Sequence, residues 1–237
     1  MRISALSLRV ADPKGLAAFY REALGMSVRT EGEAYRVGYP GQDADLLLIP
    51  GGGGYSHDRG QRYWKIGITL PDVDLVAAQL RQLGIPVSAP GQFLDIGYMC
   101  HLSDPEGFSI ELLQHDFEGN RPPDAALPDA PFAEARIGQI TLRTGDIATE
   151  DATCRALGMR LLSMQEVAPY GFDLHFYAFT DEVPLNPDLW AVENREWLWK
   201  RPYTTLEFQH IANAQFAPVP DYLGIEVEGL PDPIFLD

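Results

Sequence analysis

The 237-residue sequence carries 34 acidic and 18 basic residues, which gives a formal net charge of −16 at neutral pH. This charge argues against a nucleic-acid partner, because a phosphate backbone requires a basic surface. The apolar fraction of 46% is sufficient for packed cores, and no stretch approaches the ~20 apolar residues of a membrane span. The two cysteines, Cys100 and Cys154, have no disulfide or zinc-binding spacing. We therefore expect a globular cytoplasmic protein without membrane association.

The first predicted elements are a strand and a capped helix. Residues 6–10 alternate between apolar and polar side chains, as in a half-buried strand. Asp12 and Pro13 suit the beginning of a helix, and Gly25 suits its end. Three short strands are then predicted between residues 26 and 49. The resulting order is strand, helix and three strands, a βαβββ module.

The same order returns twice further along the chain. Module two begins with the strand at 63–70 and ends with a hairpin at 98–113. Module three begins at 137–144 and ends with a strand at 201–210, after an insertion at 180–200 whose apolar spacing suits an amphipathic helix. A last predicted strand, at 222–227, has the pattern of an opening fourth module. We predict an α+β fold of three βαβββ modules plus a truncated fourth.

Residues 116–135 are rich in Pro, Asp and Ala and lack periodicity, which indicates a linker. We predict a two-module domain at 1–117, a linker at 118–135, and a third module with the truncated fourth at 136–237. Because one curved module cannot bury both faces of its sheet, modules one and two are expected to form one cup. Module three, with unpaired strand edges, is expected to find its partner in a homodimer.

Module one contains the motif Leu8-Arg9-Val10-x-Asp12-Pro13, and module two contains Asp104-Pro105-Glu106-Gly107-Phe108-x-Ile110-Glu111. With the order of strand, helix and three strands, these motifs resemble the vicinal oxygen chelate superfamily, which includes glyoxalase I, extradiol dioxygenases and bleomycin resistance proteins. Module three is similar to the first half of glyoxalase I, through Gln139-x-Thr141-Leu142-Arg143, Leu157-Gly158-Met159 and Thr205-Leu206-Glu207. The resemblance covers nearly the whole chain.

The resemblance implies that paired modules form a cup, in which each module supplies a metal ligand from its first strand and a glutamate from its last. Gln139, Glu207 and Glu111 match these positions and are the candidate metal ligands. Glu207 is also the candidate catalytic residue, as a proton-transfer base. The implied metal is nickel, zinc, manganese or iron, with a metal-free protein as the open alternative. A dioxygenase is not expected, since no first strand supplies a histidine for a two-histidine, one-carboxylate iron site.

Strand alternation predicts which way the glutamate of each module faces. Glu111 and Glu207 each lie between two apolar residues that would face the helices, so both carboxylates are predicted to face the concave side. Lys65, at the first-strand position of module two, would repel a cation and is predicted to hold an anionic ligand. The predicted substrate contacts are Lys65, Tyr98, His101 and Tyr222.

Two functional hypotheses follow. The first is a metal-dependent lyase or isomerase of the glyoxalase type, acting on a small vicinal-oxygen substrate such as a hemithioacetal. The second is a metal-free protein of the bleomycin-resistance type that binds or sequesters a small molecule. Modules one and two favour the second hypothesis, and module three favours the first.

Overall fold

Three helices of the protein begin at an aspartate that follows a strand. The side chains of Asp12, Asp72 and Asp146 accept hydrogen bonds from the backbone amides three residues later, at 2.9, 2.9 and 3.2 Å. These contacts satisfy amide hydrogens that have no partner in the first helical turn. The repeated cap therefore starts a strand-to-helix unit at three places in the chain.

The computed structural model describes residues 1–122, 128 and 130–235. Residues 123–127 and 129 of the predicted linker lie outside the described residues, as do the last two residues of the predicted second domain, 236–237.

The described elements follow the predicted order, and the α+β fold is confirmed. Module one contains β1 (Ile3–Val10), α1 (Pro13–Leu24), β2 (Ser27–Glu31), β3 (Ala34–Gly38) and β4 (Asp45–Pro50). Module two contains β5 (Tyr63–Leu70), α2 (Val73–Gln82), β6 (Gly91–Phe93), β7 (Gly97–Ser103) and β8 (Ser109–Gln114). Module three contains β9 (Arg136–Thr144), α3 (Ile147–Ala156), β10 (Arg160–Val167), β11 (Phe172–Ala178), α4 (Glu193–Trp199) and β12 (Thr205–His210). The last strand is β13 (Tyr222–Val227).

These strands form two sheets. The five-stranded sheet has the order β13-β1-β4-β3-β2, and the eight-stranded sheet has the order β10-β11-β12-β9-β5-β8-β7-β6. The eight-stranded sheet joins modules two and three through antiparallel pairing of β5 with β9, in which Ile66 lies opposite Ile140. Module one instead pairs with β13, where Leu6 lies opposite Ile225.

The prediction that modules one and two form one cup is therefore wrong. Each module has the same alternating first strand, and such a strand can pair with the first strand of any other module. The sequence repeat consequently does not specify which modules pair. The division of the chain at residues 118–135 stays a prediction, although the eight-stranded sheet continues across it.

The insertion in module three contains the expected helix, α4, which contacts module two. Trp199 donates a hydrogen bond from its indole nitrogen to the carbonyl of Ile96, at 3.1 Å. Its ring also packs edge-on against Phe176 of β11, with ring centroids 5.3 Å apart. The insertion therefore joins the two halves of the eight-stranded sheet at its concave face. Among the described residues, no helix has the length and apolar composition needed to cross a bilayer.

Candidate functional site

Four side chains from the central strands of the eight-stranded sheet converge on its concave face. Lys65 and Gln139 come from the first strands β5 and β9, whereas Glu111 and Glu207 come from the last strands β8 and β12. Gly67 lies opposite Gln139 in the ladder, and a Cβ at this glycine would lie 2.3 Å from the Gln139 side chain. The glycine thus provides the space in which Gln139 can turn toward the glutamates.

A buried ammonium group connects the two carboxylates. Nζ of Lys65 lies 3.0 Å from Oε1 of Glu111 and 3.2 Å from Oε2 of Glu207. Gln139 donates from Nε2 to Oε1 of Glu111 at 2.8 Å, and Thr141 donates from its hydroxyl to Oε2 of Glu207. Lys65 is only 2% exposed, so water contributes little to its stabilisation.

The pKa values of the two carboxyl groups are shifted in opposite directions. Burial alone would raise the pKa of Glu111, but the Lys65 ammonium and the hydrogen bond from His101 lower this pKa to about 2. Burial raises the pKa of Glu207, and the nearby Lys65 offsets this effect only in part. Burial would lower the pKa of Lys65, yet its two carboxylate neighbours raise it, so the amine stays protonated.

Lys65, Glu111, Gln139 and Glu207 form the floor of the concave face. Together they do not fit a divalent metal ion. The side chain in the fourth ligand position is Lys65, whose protonated amine has no lone pair to donate. The same amine already lies within hydrogen-bonding distance of both carboxylates that a metal would need. The structure does bring Gln139, Glu111 and Glu207 together, but around an ammonium group of the protein itself.

The concave face of the eight-stranded sheet forms a cup between modules two and three. Two of the predicted substrate contacts lie in this cup and two do not. Lys65 and His101 line the cup, with Nε2 of His101 2.9 Å from Oε2 of Glu111. Tyr98 faces α2 instead, where its hydroxyl donates to Asp74 at 3.1 Å. The separation of three positions between Tyr98 and His101 explains this result, because residues an odd number apart on a strand face opposite sides.

Tyr222 also lies outside the cup. It belongs to β13 in the five-stranded sheet, where its ring stacks on Tyr63 with centroids 5.3 Å apart. Its hydroxyl donates to the carbonyl of Phe235 at 2.7 Å. The structure therefore places Tyr98 and Tyr222 outside the cup, and their roles as substrate contacts stay predictions.

The cup encloses a cavity of about 680 Å³ above the polar floor. Its apolar and aromatic lining is formed by Trp64, Phe93, Ile96, Met99, Leu113, Tyr170, Phe172, Leu174, Phe176 and Trp199. Basic and polar groups also line it, namely His57, Arg59, Arg143 and Gln209. A ligand in this cavity would thus meet both apolar surface and positive charge.

Arg143 is a site residue that the sequence analysis did not select. It is 3% exposed, donates from Nε to Gln209 at 2.9 Å, and has its guanidinium carbon 4.8 Å from the centroid of the Trp64 ring. Among the described residues, no carboxylate forms an ion pair with it. Burial lowers the pKa of Arg143 to about 10, so the group stays charged at neutral pH. The alternation Gln139, Thr141, Arg143 along β9 was the signal that could have identified it.

The first half of the sequence matches a known protein family. Residues 2–112 match the model of the Glyoxalase/Bleomycin resistance protein/Dioxygenase superfamily. This part of the chain belongs to that superfamily. A comparison of the sequence with curated proteins gave no match.

Solved structures of similar fold cover nearly the whole chain. Glyoxalase I from Zea mays is 20% identical and superposes with a TM-score of 0.69, over 94% of this chain and 73% of the maize chain. A Bacillus subtilis protein provisionally named as a dioxygenase is 14% identical, with a TM-score of 0.59 over 95% of this chain and 69% of its own. At these identities, the likeness concerns the fold alone.

Proposed function

We propose that this glyoxalase-superfamily protein binds a small molecule in a metal-free cup between modules two and three. The observation that carries the proposal is the placement of the Lys65 ammonium between Glu111 and Glu207. The cation that compensates the buried carboxylates is a side chain of the chain itself, so the floor is complete without an added ion. The prediction of metal ligation by Gln139, Glu111 and Glu207 has weaker support from the same geometry.

The cavity walls support a ligand that combines an aromatic or otherwise apolar part with an anionic group. Phe172, Phe176 and Trp199 would pack against the apolar part. The anionic group would be placed near Arg143, whose buried charge has no carboxylate partner among the described residues. A volume of about 680 Å³ lies within the range of cavities that enclose drug-sized molecules. We infer that the cup holds such a molecule, either to transport or to sequester it.

Two matched fluorescent probes test this proposal. Anilinonaphthalene sulfonate contains fused aromatic rings and a sulfonate, whereas N-phenyl-1-naphthylamine lacks the sulfonate. We expect the protein to bind one equivalent of the sulfonate, with affinity unchanged by prior chelator treatment. Arg143→Gln should weaken sulfonate binding by roughly 10-fold or more, because the charged hydrogen-bond donor is lost. The same change should leave binding of the neutral probe nearly unaltered.

Arg160→Gln, an exposed arginine on β10, is the matched control and should change neither affinity. Near-ultraviolet circular dichroism of each variant would show that its tertiary packing is intact. Binding of the sulfonate that is equal in Arg143→Gln and wild type would contradict the proposed ligand orientation. Probe binding that disappears after chelation, and returns with added metal, would contradict the metal-free cup.

A second candidate function is proton transfer, supported by the opposite pKa shifts of the two glutamates. Glu111 is held ionised, whereas the raised pKa of Glu207 makes its carboxylate a stronger base. This arrangement suits a lyase or isomerase that moves a proton between adjacent carbons of a hemithioacetal-like substrate. Turnover of the methylglyoxal–glutathione hemithioacetal by wild type, abolished by Glu207→Gln, would favour this function over binding alone.

A further inference from the structure

Two histidines and one aspartate meet on the face of the eight-stranded sheet opposite the cup. Asp173 and His175 alternate along β11 with side chains that line the cup, so they face the other side. His210, on the neighbouring strand β12, lies directly opposite Asp173 in the ladder. Three side chains with metal-binding chemistry are thereby brought to adjacent points of one sheet surface.

The three side chains already converge on one atom. Oδ1 of Asp173 lies 2.8 Å from Nε2 of His175 and 3.0 Å from Nδ1 of His210. One potential ligand atom from each residue lies within 4.8 Å of the others. Tetrahedral zinc bound at about 2.0–2.1 Å separates its ligand atoms by roughly 3.3 Å. Only small shifts of these side chains would therefore admit an ion.

We propose that Asp173, His175 and His210 form a binding site for a divalent transition-metal ion of the zinc class. Two imidazole nitrogens and one carboxylate oxygen are ligands that zinc accepts, and a water molecule would complete a tetrahedral set. His175 is 8% exposed, whereas Asp173 and His210 are partly exposed. The site thus has one buried ligand, His175, and an ion can reach it from solvent past Asp173 and His210. It is distinct from the cup floor, which has no histidine among its four central side chains.

The surroundings favour a cation at this position. Asp151 of α3 acts electrostatically on His175, and Asp146 interacts in the same way with His210. The chain as a whole carries a formal charge of −16, which further attracts cations. Bound metal would link β11 to β12, the strands that carry Phe172, Phe176 and Glu207 into the cup. We therefore assign the ion a stabilising role rather than a place in the cup chemistry.

The test is titration of the full-length, chelator-treated protein with zinc, followed by calorimetry, and with cobalt, followed by visible absorption. We expect one equivalent of zinc to bind and to raise the midpoint of thermal unfolding. Loss of a residue that only hydrogen-bonds to a metal ligand lowers metal affinity by about 10–100-fold. Because His210→Ala and Asp173→Asn alter proposed direct ligands, each should lower the zinc affinity by at least this much. His57→Ala, which removes a histidine elsewhere, and Glu207→Gln in the cup should leave the affinity unchanged.

Each alternative outcome has a definite meaning. Wild type that binds no zinc at millimolar concentration would overturn the proposal and leave the cluster as a hydrogen-bonded link between strands. Zinc binding that survives His210→Ala and Asp173→Asn but is lost in Glu207→Gln would place the ion in the cup and also overturn it. Retention of the wild-type unfolding midpoint in zinc-free His210→Ala would show that loss of affinity is not caused by unfolding. None of these three outcomes depends on whether the cup binds the fluorescent probes.

Discussion

Lys65 determines the chemistry of the cup. A neutral or acidic residue at this position would leave two buried carboxylates that require a cation, whereas the lysine supplies one covalently. The contact distances of 3.0 and 3.2 Å show that both carboxylates share the ammonium. Removal of one member from a buried ion pair costs about 3–5 kcal/mol, because the remaining charge is left without compensation.

The first prediction is that Lys65→Gln converts the floor into a divalent-metal site. We expect the metal-free variant to be about 3–5 kcal/mol less stable than wild type. Manganese, which prefers oxygen ligands, should restore part of this stability, since Glu111, Glu207 and Gln139 could then bind it. The measurement is urea unfolding with and without manganese, in a His210→Ala background that removes the proposed second metal site.

Lys200→Gln is the matched control, because Lys200 forms an ion pair with Asp116 at the surface rather than in the core. It should cost less than about 1 kcal/mol and show no response to manganese. If manganese leaves the stability of Lys65→Gln unchanged, the four central side chains do not form a latent metal site.

At the scale of elements, the turn between β7 and β8 connects module two to module one. The Glu106 carboxylate accepts hydrogen bonds from the amides of Ala11 and Asp12, both at 2.7 Å. Asp104 accepts a hydrogen bond from the hydroxyl of Tyr20 at 2.9 Å and others from backbone amides of its own turn. The family-like Asp-Pro-Glu-Gly sequence therefore fixes one module on the next, in addition to closing a hairpin.

The second prediction concerns the pH dependence of this turn. Burial raises the pKa of Asp104 to about 6, although hydrogen bonds from Tyr20 and the turn amides oppose the shift. The folded state therefore keeps a proton that the unfolded state loses above about pH 4. The stability from this proton is fully present below about pH 4 and is lost as the pH rises through about 6, by up to about 3 kcal/mol.

Asp104→Asn cannot titrate and should remove this part of the pH dependence. The measurement is the free energy of unfolding of both proteins at several values between pH 4 and 7. The free energy of unfolding of wild type minus that of Asp104→Asn should decrease as the pH rises. A pH-independent difference between wild type and Asp104→Asn would contradict the raised pKa.

At the scale of the molecule, the eight-stranded sheet joins parts of the chain on both sides of residues 118–135. The strands β5 and β9, which meet at its centre, belong to modules two and three. The five-stranded sheet does the same, since β1 pairs with β13. A fragment that contains only modules one and two would therefore expose unpaired edges of both β1 and β5.

The third prediction is that the two halves of the chain depend on each other. Residues 1–122 and 130–237 produced separately should be insoluble or self-associated, because each lacks the partner strand for its central edges. The two fragments produced together should copurify and bind the anilinonaphthalene sulfonate probe. A soluble, monomeric 1–122 fragment with cooperative unfolding would instead support the independent domain predicted for residues 1–117.

The fourth prediction concerns assembly. The homodimer was expected because module three was thought to lack a partner, yet modules two and three complete the eight-stranded sheet within one chain. The homodimer stays a prediction, and the cup does not require it. We expect the probe affinity of the protein to be independent of protein concentration across the micromolar range. An affinity that rises with concentration, in parallel with mass from light scattering, would show that a second copy contributes to the site.

The sequence alone determined the modules and the direction of key side chains. The caps at Asp12, Asp72 and Asp146 and the alternation around Glu111 and Glu207 are local features, because hydrogen bonds within a turn and side-chain direction along a strand involve few neighbouring residues. The tertiary structure decided which first strands pair, and hence that Lys65 lies between both glutamates. Backbone hydrogen bonds between strands are nearly independent of side chains, so three similar modules offer several pairings. Only packing of the whole chain selects one of them.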